Sequence, residues 1–102
     1  LPAYMKLAYL PELGVVKLRL SAYGEAADLE MNNYVEELKT LLKDYVFSDN
    51  ETTLQEQLGK MLLTENSTLA TAESCTGGYL AHLITSVAGS SAYFLGSVVS
   101  YH

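Results

Sequence analysis

Residues 71–80 read TAESCTGGYL. A carboxylate, hydroxyls, a thiol and two adjacent glycines stand where a run of small residues gives way to a helical apolar pattern. Upstream, residues 68–74 (TLATAES) are short, small and β-tolerant, and read as a buried strand. Downstream, Leu80, Leu83, Ile84 and Val87 fall at helical spacing, which predicts a helix beginning near Thr76. Ala88, Gly89, Ser90 and Ser91 break that pattern, and residues 96–101 (GSVVSY) read as another strand. Before all of these, Thr53 and Glu56 have the spacing of a capping box, Leu54, Leu58, Met61 and Leu62 form an apolar stripe, and residues 64–67 (TENS) end it. The order helix, strand, helix, strand predicts a βαβ unit with a parallel strand pair.

The N-terminal half follows different periods. In residues 4–10 (YMKLAYL), Met5, Leu7 and Tyr9 alternate with Lys6 and Ala8; in residues 15–20 (VVKLRL), Val16, Leu18 and Leu20 alternate with Lys17 and Arg19. Alternation of period two marks strands with one buried face, and Pro11-Glu12-Leu13-Gly14 between them supplies turn chemistry for a hairpin. From about residue 25 the period becomes helical: Met31, Tyr34, Val35, Leu38, Leu41, Leu42 and Tyr45 share one face. Asp28 and Glu30 near its start and Lys39 and Lys43 near its end suit the helix dipole. The polar stretch 47–53 (FSDNETT) is the boundary between modules. The expected fold is α+β overall: a hairpin-plus-helix module over 1–48, then an α/β domain over 49–102.

The chain has 102 residues, 49% of them hydrophobic, enough to fold rather than stay disordered. Its formal net charge of −6 and six scattered basic residues argue against nucleic acid as a partner. Cys75 is the only cysteine, so no intrachain disulfide forms, which fits a reducing cytoplasm. There is no signal peptide and no apolar run near the ~18 residues of a membrane span. No metal or cofactor is assigned. The chain opens without Met and closes on VVSYH, and is read as a piece of something longer.

A helix starting at Thr76 or Gly77 points unpaired amides beyond the strand's carboxyl end, a place that favours an anion or a developing oxyanion. Gly77 and Gly78 permit close approach, and Ser74 lies at the turn itself. The parts serve phosphate binding, nucleophilic attack or both; equally, Ser74 or Thr76 could simply cap the helix. The stretch is neither a Walker A loop nor a G-x-S-x-G elbow. Cys75 is expected to be a packed thiol: His82 is two helical turns away, roughly 10 Å, too far to serve it as a base. His82 itself reads as a surface or interface residue. Glu73 is expected to cap or orient rather than act as a general base. Tyr93 and Phe94 read as core packing, and Tyr101 sits at the strand edge where catalytic side chains are displayed.

Taken together, residues 68–102 closely resemble the first half of the C-terminal domain of the competence/damage-inducible CinA proteins, the nicotinamide mononucleotide deamidase domain. The elements that carry the likeness are Ala72-Glu73-Ser74-Cys75-Thr76-Gly77-Gly78, Ile84-Thr85, Gly89-Ser90-Ser91 with Tyr93-Phe94, Gly96, Val98 and Tyr101. Residues 5–24 with the following helix resemble the KH-like linking module that precedes this domain. That segment lacks the GxxG loop with which KH domains clamp nucleic acid, since Gly14 and Gly24 stand alone.

The resemblance implies an amidohydrolase that converts nicotinamide mononucleotide to nicotinic acid mononucleotide and ammonia, with a small-molecule nucleotide as its substrate. It matches Ser74 to the nucleophile and Tyr101 to an active-site tyrosine, with Glu73, Thr76, Gly77 and Gly78 as substrate-binding residues. The family's proposed base, a lysine shortly beyond that tyrosine, has no counterpart, because no lysine follows Lys60. The chain is therefore expected to be catalytically incomplete on its own; a non-catalytic module that binds phosphorylated nucleotide or serves dimerisation is the alternative. Half a domain leaves apolar surface and a strand edge uncovered near Val98 to Tyr101, so a homo-oligomer is expected.

Overall fold

A computed structural model describes residues 1–25 and 27–102. They fall into two compact units, Leu1–Val46 and Phe47–His102.

The first unit opens with strands β1 (Met5–Glu12) and β2 (Val15–Ala22), paired antiparallel. Both run further than the alternating stretches, β1 through Pro11 and Glu12 and β2 through Ser21 and Ala22, so the connection is only Leu13 and Gly14. Gly14 adopts φ +76°, a conformation that L side chains resist. Proline is tolerated at Pro11 because a two-stranded ribbon consists only of edges. The register pairs Leu7 with Leu20, Tyr9 with Leu18 and Pro11 with Val16, which gathers the apolar set on one face as the alternation requires. Helix α1 (Ala27–Leu41) packs on β2, and Met5 and Ala27 are buried, whereas Tyr9, Val16 and Leu18 stay exposed. The expected onset of this helix near residue 25 takes in Ala26, which lies outside the described residues. The Tyr4 hydroxyl donates to the Glu30 carboxylate and so ties the strand's entry to the helix. That bond, with burial and the negative charge of Glu30, pushes the Tyr4 phenol up to about 12.

The second unit begins with α2 (Leu54–Thr64). Thr53 caps it, its hydroxyl accepting from the Glu56 amide at 3.3 Å, as the sequence spacing predicts. At the other end Asn66 takes φ +51° and the Ser67 amide returns to the Leu62 carbonyl, which closes the last turn. Strand β3 (Leu69–Glu73), helix α3 (Tyr79–Thr85), a 3₁₀ turn at Ser90–Ala92 and strand β4 (Phe94–Val99) follow. Strands β3 and β4 pair in parallel around the α3 crossover, so the βαβ unit is present. β3 is not buried throughout as expected: Leu69 and Thr71 are half-buried and Glu73 is buried, while Ala70 and Ala72 are exposed. Among the described residues the sheet has two strands, and α3 covers one face of it.

Ile84 and Tyr93 form the centre of this unit, at 2% and 3% exposure, and Tyr93 rests against Gly59 of α2. Its hydroxyl finds no hydrogen-bond partner among the described residues. A Cβ added at Gly59 would stand 2.4 Å from that oxygen. Gly59→Ala gains roughly 1 kcal/mol of helix propensity but overpacks the buried Tyr93 ring, a cost of about 1–3 kcal/mol. The variant is expected to unfold at lower urea concentration than the parent. A higher midpoint would mean that Tyr93 shifts freely.

Candidate active site

Where β3 ends, the chain does not enter α3 directly. Gly77 and Gly78 take φ +59° and +96°, which no right-handed helix admits, so the helix starts at Tyr79 rather than at Thr76 or Gly77. Residues 74–78 form a separate turn: the Gly77 amide donates to the Ser74 carbonyl at 3.0 Å and the Tyr79 amide to the Thr76 carbonyl at 2.9 Å. A Cβ at Gly77 would meet nothing within 4 Å; its backbone conformation, rather than crowding, calls for glycine there.

Glu73, the last residue of β3, is only 5% exposed, and its carboxylate turns inward. One oxygen accepts from the Leu80 amide at 2.8 Å; the other accepts from the Ala81 amide at 3.1 Å and from the Ser97 hydroxyl at 3.1 Å. The first amides of α3 are thus occupied by the chain's own anion. The Leu80 and Ala81 amides are therefore not open to an outside anion, and both carboxylate oxygens of Glu73 are bonded within the fold. Burial opposes its ionisation, but the Leu80 and Ala81 amides and the Thr76 and Ser97 hydroxyls outweigh that and hold the carboxyl below its ordinary value of 4.5.

Ser97 reaches Glu73 because of an irregularity in β4. Leu69 pairs with Phe94, but Ala70 pairs with Gly96, so Leu95 is an extra residue, and Gly96 takes φ +148°. After this bulge Ser97 pairs with Thr71 and Val99 with Glu73, on the face that α3 covers. Regular alternation through Phe94, Leu95 and Gly96 would put Ser97 on the opposite face.

Ser74 is exposed, and its hydroxyl makes no hydrogen bond among the described residues. The amides of Cys75, Thr76 and Gly78 likewise meet no acceptor among them. One hydroxyl and three amides therefore stand uncommitted at the carboxyl edge of the sheet. Cys75 is exposed, contrary to the packed thiol expected, because the turn projects past the strand end where no element covers it. His82 is exposed and stacks on Tyr79, with ring centroids 6.0 Å apart. Tyr101 is 77% exposed beyond β4. Since Glu73 pairs with Val99 and the Ser100 amide donates to the Glu73 carbonyl at 2.8 Å, Ser74 and Tyr101 leave neighbouring strands at the same edge.

A depression of about 320 Å³ lined by Thr53, Gln55, Glu56, Ser86, Val87 and Ala88 lies at the far end of α3 from this turn and shares none of its residues. Among the described residues no cluster of His, Cys, Asp and Glu could hold a metal ion, and no helix is long and apolar enough to cross a membrane. Sequence reasoning missed Ser97, and only the Leu95-Gly96 irregularity, which alternation does not announce, could have pointed to it.

The CinA C-terminal domain family matches residues 51–102. A CinA-like protein of Cytophaga hutchinsonii is 52% identical over 104 residues, and one of Flavobacterium psychrophilum 49% identical over 106; each alignment covers 99% of this chain and 25% of the relative. A putative competence-damage inducible protein of Halothermothrix orenii is 40% identical over 98 residues, covering 93% of this chain and 24% of its own length. The chain belongs to the CinA family. It spans about a quarter of the length of the curated relatives it matches.

The depressed carboxyl of Glu73 has a sign that can be checked. A folded value below 4.5 means that its contribution to stability is complete above that pH and is lost as pH falls through the folded value. Glu73→Gln is expected to be less stable than the parent at pH 7, with the difference narrowing below about pH 4.5. Urea midpoints of both proteins between pH 7 and pH 3 test this; a difference that ignores pH would mean that folding leaves the carboxyl's titration unchanged, and one that widens as pH falls would mean that folding raises it.

Proposed function

We propose that this chain carries the nucleophile-bearing turn of an amidohydrolase that converts nicotinamide mononucleotide to nicotinic acid mononucleotide and ammonia. The observation that carries the reading is the Ser74 hydroxyl, exposed and uncommitted beside the free amides of Cys75, Thr76 and Gly78. Membership of the CinA family, with its resemblance at Ala72–Gly78 and Tyr101, supports it.

The chemistry follows from those parts. Ser74 Oγ attacks the carboxamide carbon while its proton passes to a base, which the family resemblance assigns to a lysine beyond Tyr101. The carbonyl oxygen becomes an oxyanion, and turn amides next to the nucleophile are the donors suited to it. The C–N bond then breaks, the nitrogen takes the proton and leaves as ammonia, and an ester on Ser74 remains. Water hydrolyses that ester to the carboxylate and returns the hydroxyl. Thr76, Gly77 and Gly78 shape the turn, and Tyr101 borders it.

The alternative, a passive phosphate site at Thr76, draws on the same Cys75, Thr76 and Gly78 amides, since those of Leu80 and Ala81 already serve Glu73; binding of the mononucleotide without ammonia release would favour it. The test is ammonia release from nicotinamide mononucleotide by the full-length protein. Turnover is expected, and Ser74→Ala is expected to lower kcat at least ~10³-fold. Turnover that survives this substitution, or a wild-type protein without turnover, overturns the proposal.

A further inference from the structure

We propose that Glu73 is a positioning residue for Ser74: its carboxylate fills the first turn of α3 as an internal anion and locks the 74–78 turn to β4 through Ser97. This rests on the reading of Ser74 as nucleophile.

Two sets of contacts hold the chain on either side of Ser74. Before it, the Glu73 carbonyl accepts from the Ser100 amide at 2.8 Å, and fixes the strand end to the chain beyond β4. After it, the Glu73 side chain reaches over the turn to the Leu80 and Ala81 amides and fixes the helix that the turn must join. The Ser97 hydroxyl then anchors the same carboxylate to β4 from the face that the bulge selects. Two such clamps hold the backbone from which Ser74 projects, and a displacement of ~1 Å in a reacting group can cost about 10²-fold in rate.

Steady-state kinetics of the full-length protein with nicotinamide mononucleotide tests the role. Glu73→Gln is expected to lower kcat by about 10²-fold while KM stays within about threefold, since nothing that touches substrate has been removed. Ser97→Ala, a change at an exposed position that threatens the fold less, is expected to lower kcat in the same direction by a smaller factor. A raised KM with kcat kept would make Glu73 a substrate contact and overturn the proposal. So would losses in kcat no larger than the fraction of unfolded protein measured by circular dichroism.

A second measurement does not depend on the substrate. With ¹⁵N-leucine and ¹⁵N-alanine labels, the Leu80 and Ala81 amide resonances are expected to stay in place on addition of inorganic phosphate and to move in Glu73→Gln. Resonances that follow phosphate, or that ignore the substitution, overturn the proposal. If the wild-type protein releases no ammonia, the amidohydrolase reading fails, and these two resonances alone decide whether Glu73 holds the turn.

Discussion

A carboxylate removed from water needs partners, and Glu73 at the end of β3 finds them in two helix amides and one strand hydroxyl. Those bonds join β3, α3 and β4 through one side chain. The helix is short, and a glycine in the left-handed region precedes it with no side-chain cap of its own. Glu73 does the work a capping residue normally does, from seven positions upstream of Leu80. Because the amides of the first helical turn are used inside the fold, the donors left for anything outside belong to the turn. This is what separates a strand–turn–helix that binds anions from one that displays a hydroxyl.

Much of the fold could be read from the sequence because it is written in local periods. Alternation at Met5, Leu7 and Tyr9 and at Val16, Leu18 and Leu20 gave strands with the right face grouped, and the register keeps that grouping. The Thr53 cap and the stripe from Leu54 to Leu62 gave α2. The parallel pair followed from element order alone. Where sequence reasoning fell short, the cause was conformational or non-local. Two glycines beside a helical pattern could be its first turn or a left-handed break before it, and their φ values decide for the break. Glu73 read as an orienting group, but its partners Leu80 and Ala81 lie across that break and Ser97 lies on another strand.

The exposed residues of the turn carry the same lesson. Cys75 is among the residue types most often buried, yet it stands in the open because the turn extends past the sheet. Ser74, beside it, is also exposed, and its hydroxyl makes no hydrogen bond among the described residues. Neither local propensity nor burial statistics separates these two neighbours; their shared position at the strand's carboxyl edge does.

The extra residue in β4 imposes an odd–even rule on chain length. Phe94 and Ser97 are three apart yet share a face, because Leu95 stands outside the alternation and Gly96 has the backbone to absorb it. Removing one residue between them would abolish the irregularity and leave Ser97 two positions from Phe94 on the same face, whereas removing both would set Ser97 next to Phe94 and carry its hydroxyl to the opposite side.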